Sequence, residues 1–183
     1  MTLKVTMVHT SIMMRRAAYE AVGGYRAAFL LSQDIDLWLR VLQRYDVDNL
    51  SERLVRWRVN QGGTYVSRRE LQLKYGGIAL AFAQERERYG TDSYRLLEDA
   101  AGDLDRFADT YRLKGLLHAI WGELVFRGVG DAAAARSHFT QALAKGFIRP
   151  RTLALFGLSL AGRAWPGGRP MPPAVHQPNQ AVG

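Results

Sequence analysis

The apolar positions follow two regimes along the chain. Over residues 4–14, Val5, Met7, Val8, Ile12 and Met13 are rich in β-forming character and predict one strand, interrupted near His9. Residues 15–22 predict a short helix stopped by Gly23-Gly24, because glycine readily supplies the left-handed backbone of a helix end. Ser32 predicts the N-cap of a helix reaching about Tyr45, with Ile35, Trp38, Val41, Leu42 and Tyr45 on its apolar stripe. Residues 49–59 alternate loosely through Leu50, Leu54, Val55, Trp57 and Val59 and predict a second strand, closed by a turn at Gly62-Gly63.

Beyond Ser67 the period becomes helical. Helices are predicted over residues 69–89, with Leu71, Tyr75, Ile78 and Phe82 on one face, then over 93–107, 110–127 and 132–145, with a turn at 128–131. In the last pair, Phe126, Ala135, Phe139 and Ala142 have spacings of nine, four and three, as in a tetratricopeptide-like hairpin, where small residues let two helices approach closely. Gly122 stands one residue out of phase with that pattern and no second copy follows, so a single hairpin is expected and not an array. Residues 166–183 hold five of the six prolines and predict a disordered tail. The expected fold class is α+β, divided into residues 1–67, a helical extension over 68–165 and the tail over 166–183.

Composition changes this picture little. The 183 residues suffice for one ordinary domain, and with 48% apolar residues most of the chain should bury a core. There is no cysteine, which excludes disulfides and thiolate metal sites. Residues 1–14 make a poor signal peptide, and the apolar stretch over 152–162 is about half of the roughly 20 residues a membrane span needs. A soluble, cytoplasmic protein is expected, with the inner membrane face as a peripheral location. The net charge of +8 suits an anionic ligand or surface, yet the excess is concentrated early: 11 basic against 6 acidic residues over 1–69, and 14 against 11 over 70–183. No nucleic-acid motif organises these charges.

One stretch carries candidate chemistry. His9-Thr10-Ser11-Ile12-Met13-Met14-Arg15-Arg16 is followed by Ala21-Val22-Gly23-Gly24-Tyr25-Arg26, by Ser32-Gln33-Asp34-Ile35-Asp36-Leu37-Trp38-Leu39-Arg40, and by Asn49-Leu50 with Leu54-Val55-Arg56-Trp57-Arg58. In this order the segments resemble the acceptor side of a family 2-type (GT-A) glycosyltransferase. The resemblance implies a partial Rossmann-like α/β fragment with few strands, followed by a mostly helical region. It also implies that the N-terminal half binding the nucleotide sugar, with its paired aspartates, is missing, because only eight residues precede His9.

That resemblance makes Asp34 the base that would take a proton from the acceptor hydroxyl, and places His9, Gln33, Trp38 and Arg58 as substrate-binding residues. Gln33 stands where the family often has glutamate, and Asn60 where it often has histidine. No cofactor is expected in this chain; a divalent metal, Mg or Mn, belongs only to a complete enzyme. A nucleotide sugar and an acceptor glycan or lipid-linked sugar would be its partners, and isolated turnover is not expected. The residues themselves leave other readings open. Asp34 and Asp36 both fall in a first helical turn, where the helix dipole favours carboxylates. Asp36, turned roughly 200° from Asp34, suits an ion pair with Arg40 one turn on. Trp38 on the apolar stripe suits the core, and His118 and His138 suit structural positions in the helical part. The alternative function is a non-catalytic helical module that docks a protein partner.

Overall fold

Eight α-helices and one 3-10 turn form the regular structure of the described residues, 8–52, 54–56 and 68–161 of a computed structural model. The 3-10 turn spans His9–Ser11. Helices α1 (Arg16–Ala21) and α2 (Gln33–Leu42) precede the long α3 (Arg69–Tyr89). Then come α4 (Tyr94–Ala100), α5 (Leu104–Thr110), α6 (Lys114–Gly128), α7 (Ala132–Ala144) and α8 (Pro150–Leu160).

Local chemistry sets most of the helix ends. Gly24 and Gly90 take positive φ, 64° and 74°, beyond α1 and directly after α3. Ala101 and Gly102, at φ 51° and 90°, break what the periodicity predicts as one helix over 93–107 into α4 and α5. Asp103 then caps α5 by accepting from the Arg106 amide at 2.9 Å. Asp131 caps α7 through the amides of Ala133 and Ala134. Pro150 at the first position of α8 is pre-set for the helix and gives up an N–H that would have no partner there.

Helix α3 is the central element. It packs against α2 and against α6, while α6 and α7 form an antiparallel hairpin that α8 extends. The main core gathers Phe29, Leu39, Tyr75, Ile78, Phe82, Leu97, Phe107, Tyr111, Leu117 and Trp121. Its aromatic rings meet in preferred geometries: Phe82 lies edge-on to Phe107 at 5.8 Å, and Phe107 stacks on Tyr111 at 5.1 Å. A second cluster of Val125, Phe126, Ala135, Phe139 and Leu155 closes the α6–α7–α8 end. Phe126, Ala135, Phe139 and Ala142 are all buried, as the hairpin spacing predicts.

The expected α+β class is corrected: the described residues contain no strand, and the fold they form is all-α. Within residues 8–14, which fall in the predicted first strand, a 3-10 turn forms, closed by Ser11 N–H to the Val8 carbonyl at 2.9 Å. In the second, Leu50 and Leu54 are exposed and no ladder forms among the described residues. A strand needs neighbours to satisfy its backbone groups, and no described segment offers one. Residues 1–7, 53 and 57–67, with the rest of both predicted strands and the Gly62-Gly63 turn, lie outside the described residues, as does the predicted tail.

Other boundaries shift for identifiable reasons. Ser32 does precede α2, but with φ 55° its side chain makes no cap, and its hydroxyl instead donates to the Gln72 carbonyl on α3 at 2.9 Å. Helix α2 ends at Leu42, leaving Tyr45 exposed, and α8 is a full helix where only an apolar stretch was read.

Two glycines set the spacing of the helices. A Cβ on Gly77 of α3 would lie 2.6 Å from the Trp121 ring of α6, whose indole N–H donates to the Lys74 carbonyl at 2.9 Å. A Cβ on Gly122 would lie 2.7 Å from the Phe139 ring of α7. Gly122 is thus the close-approach residue of the hairpin despite its displaced register. Gly77→Ala and Gly122→Ala are each expected to destabilise the protein by about 1–3 kcal/mol in urea denaturation, since overpacking outweighs the helix propensity gained. Gly157→Ala, with open space around it, is expected to be neutral or stabilising by up to about 1 kcal/mol.

Candidate functional site

Helix α2 has two working faces, and they divide the residues of the acidic motif between them. On the α3 side, Asp36 is fully buried and accepts from Arg40 Nε and Nη2 at 3.0 and 2.9 Å and from Arg26 Nε at 2.9 Å. Arg40 also donates to the carbonyls of Val22 and Gly24, which ties α2 to the end of α1. Arg26 reaches on to Asp92 with Nη1, at 3.0 and 2.9 Å, and Asp92 pairs in turn with Arg86 of α3. Arg86 donates to Gln43 at 2.6 Å, and Gln43 donates to the Ala83 carbonyl at 2.9 Å.

Aromatic rings complete the surroundings of Arg26. Its guanidinium lies 4.4 Å from the Tyr94 ring centroid and 5.5 Å from those of Phe29 and Phe82. Burial alone would lower its pKa, but hydrogen bonding to Asp36 and the charges of Asp36 and Asp92 outweigh this and raise it. Burial pulls Arg86 below its ordinary value despite Asp92. A second buried carboxylate, Glu85, accepts from the Ser93 amide and hydroxyl, from Tyr111 and from Arg112, and so bolts α3 to α4 and the α5–α6 connection.

The other face of α2 floors an open pocket of about 460 Å³, lined by residues including His9, Met14, Arg16, Tyr19, Glu20, Tyr25 and Trp38. His9 Nε2 and the Tyr25 hydroxyl share a hydrogen bond at 2.7 Å. The rings run in sequence, Tyr19 to Tyr25 to His9 to Trp38, with centroids 5.8, 5.8 and 6.0 Å apart and interplanar angles of 63°, 65° and 70°. Trp38 is 6% exposed, belongs to the Leu37–Val41 cluster, and its indole N–H has no partner among the described residues. Burial, then the charges of Tyr19 and Asp34, raise the Tyr25 phenol above its ordinary pKa.

Of the residues singled out in the sequence, His9 and Trp38 therefore meet in one pocket. Gln33 and Asp34 open α2, and Asp34 accepts from the neighbouring Ile35 amide at 2.9 Å. Arg58 and Asn60 lie outside the described residues. Asp36 forms the ion pair with Arg40 that the four-residue spacing predicts. Sequence reasoning placed Arg26 in a motif without its ion-pair role and missed Glu85, Arg86 and Asp92; the signal for Glu85 was a carboxylate set among Ile78, Phe82 and other buried positions of α3. No group of three or more His, Asp or Glu residues among the described ones could hold a metal ion, and no described helix is long and apolar enough to cross a membrane.

His118, which is buried, and His138, which is half-buried, form a separate pair between α6 and α7. Their Nδ1 atoms are 3.3 Å apart, and both rings pack on Trp121 at 5.5 Å. Burial, then the charges of His138 and Lys145, lowers the His118 pKa from 6.5 to about 4. His138 is lowered too, by burial and then by Lys74.

Comparisons with family models, with curated proteins and with solved structures give no match. Together with the absence of strands among the described residues, this overturns the resemblance to a GT-A glycosyltransferase, and with it the transferase, nucleotide-sugar and truncated-enzyme reading. The physical reason is visible in the motif itself: Asp36, Arg40, Arg26 and Gly24, which carried the resemblance, are used up in holding helices together. The chain is a helical module, which is the architecture the alternative reading requires.

Asp36→Asn is expected to cost about 3–5 kcal/mol in urea denaturation, because two buried guanidiniums lose their shared anion. Asp34→Asn should cost less than about 1 kcal/mol, the scale of a helix-dipole contact. A proton NMR titration should place the His118 midpoint near pH 4 and not 6.5. The unfolded imidazole binds its proton near 6.5 while the folded one stays neutral, so the contribution is complete above that pH and lost as pH falls toward 4. The loss attributable to His118 is at most about 3 kcal/mol at the conversion of 1.36 kcal/mol per pKa unit.

Proposed function

We propose that this chain is a protein-docking module whose contact face is the outer side of α8. The observation that carries the reading is that α8 is apolar on both sides. Its inner side, with Leu155 and Thr152, is buried against α6 and α7. Its outer side leaves Leu153 46% and Leu160 61% exposed, flanking Ala154 and Gly157, with Ile148 65% exposed just before the helix. Stacked helical hairpins keep such a face for the next helix and normally end on a polar cap.

Charge defines the partner. Residues 132–161 contain no aspartate or glutamate but carry Arg136, Lys145, Arg149 and Arg151. Arg151 pairs with Glu123 and Arg136 donates to the Ser159 carbonyl, whereas Lys145 and Arg149 pair with no carboxylate among the described residues. The fitting partner is an amphipathic helix with an apolar stripe and acidic flanks, seated in the helix-in-groove mode.

A photo-crosslinking residue placed at position 154 in cells is expected to trap one defined protein, and one at position 87 on α3 to trap none. The double substitution Leu153→Arg with Leu160→Arg should abolish the adduct while leaving the thermal melting temperature unchanged. The reading fails if position 154 gives no adduct, or if the adduct survives both arginines.

A further inference from the structure

The pocket on the open face of α2 plays no part in the docking reading, and its construction points to a ligand class. Four rings, Tyr19, Tyr25, His9 and Trp38, form a continuous arc in which each ring stands at 63° to 70° to the next. Rings turned in this way do not form the parallel slot that would take a flat ligand. All four rings line the same pocket and neighbouring centroids lie 5.8 to 6.0 Å apart, so a cation seated there can meet more than one ring.

The charges around the arc are mixed but placed unequally. Glu20 and Arg16 both line the pocket, one helical turn apart on α1. Neither forms a salt bridge with a described residue. Asp34 adds a negative field that reaches Tyr25 on the rim. Of the other cations near it, Arg26 and Arg40 are neutralised in part by Asp36 on the opposite face of α2, whereas Arg15 precedes α1 and Arg44 donates to the Ala21 carbonyl at the end of α1. Ile12, Met14 and Leu37 supply apolar lining that a strongly hydrated ion would not favour.

We propose that this pocket binds a quaternary or trimethylated ammonium group, held by the arc of Tyr19, Tyr25, His9 and Trp38 and by the carboxylate of Glu20. Such a group is weakly hydrated, has a bulky apolar surface for Met14 and Ile12, and carries the positive charge that ring faces attract. The two sources of this chemistry are a choline headgroup and a trimethylated lysine side chain.

The test compares choline chloride with its uncharged isostere 3,3-dimethylbutan-1-ol, titrated into the full chain and followed by NMR. Choline is expected to shift the Tyr25, His9 and Trp38 signals saturably and to bind about ten-fold more tightly than the alcohol, the equivalent of a cation–π contribution of about 1.4 kcal/mol. Tyr25→Leu and Glu20→Gln should each weaken choline several-fold, while Tyr25→Phe, which keeps the ring, should stay within about two-fold of wild type. Where Tyr25→Leu fails to fold, Glu20→Gln on the exposed side of α1 decides. Equal affinity for the alcohol, absence of saturable shifts, or indifference to Glu20→Gln would overturn the proposal. Tighter binding of phosphocholine than of trimethyllysine amide supports the headgroup as source, and the reverse supports the modified side chain. Because α8 is untouched by these variants, the outcome is separable from that of the crosslinking experiment.

Discussion

The contact on which the structure most depends is the buried ion network centred on Arg26. One guanidinium satisfies Asp36 on α2 and Asp92 between α3 and α4, and its face is covered by Tyr94, Phe29 and Phe82. Three arginines share two carboxylates here, so the cluster keeps a formal surplus of one positive charge. Most of the remaining donors are used, since Arg40 donates to two carbonyls and Arg86 Nε to Gln43, while Arg86 Nη2 is buried without a partner among the described residues. Buried ion pairs contribute little net stability compared with an apolar core of the same size, but breaking one leaves an uncompensated charge. The network therefore fixes where α1, α2 and the α3–α4 turn sit relative to one another more than it adds to the depth of the native state.

At the other end of the molecule, position is set by size and not by charge. Gly77 admits the Trp121 ring between α3 and α6, and Gly122 admits Phe139 between α6 and α7. Dispersion contacts at such short range are lost rapidly with separation, so each glycine fixes an interhelical distance that a methyl group would change. Trp121 connects the two regions: it packs on Gly77, donates to α3 and carries the imidazoles of His118 and His138 on its ring. Keeping those imidazoles neutral is a consequence of this packing, since no carboxylate of the described residues hydrogen-bonds either one.

The helices were legible from apolar period alone wherever they are long. Helix α3 begins and ends where the pattern places it, and the α6–α7 hairpin was readable from the spacing of Phe126, Ala135, Phe139 and Ala142. What periodicity does not register is a local φ reversal, so the break at Ala101-Gly102 passed as continuous helix. The strands failed for a different reason. A β-forming composition states what a segment could pair as, whereas pairing requires a second segment, and none of the described residues supplies it. For the candidate site, the i,i+4 rule found Asp36 with Arg40 because that pair is local. Arg26 with Asp92, 66 residues apart, has no local signal, and neither does the meeting of His9 with Trp38. The motif order that resembled a transferase was equally compatible with a helical packing role, because aspartate, arginine and glycine serve both.

Helix α2 shows how the two kinds of constraint combine. Asp36 and Arg40 face the ion network while Trp38 and Leu37 face the pocket, so the network holds in place the helix that floors the aromatic arc. Rings on exposed loops lose rotamer freedom on binding, but Trp38 is already immobilised by its cluster, and His9 and Tyr25 are tied to each other. Preorganisation of this type reduces the ordering cost of recognition. The α8 face needs no such preparation, because a regular helix presents Leu153 and Leu160 two turns apart without help from its neighbours. The two surfaces share no lining residue, and the largest contact joining their halves is the α3–α6 seam. Substitutions confined to one surface should then act independently of the other, as distant sites without common partners do. Coupling between them would run through the core that joins α3 to α6, of which the Gly77–Trp121 contact is a part.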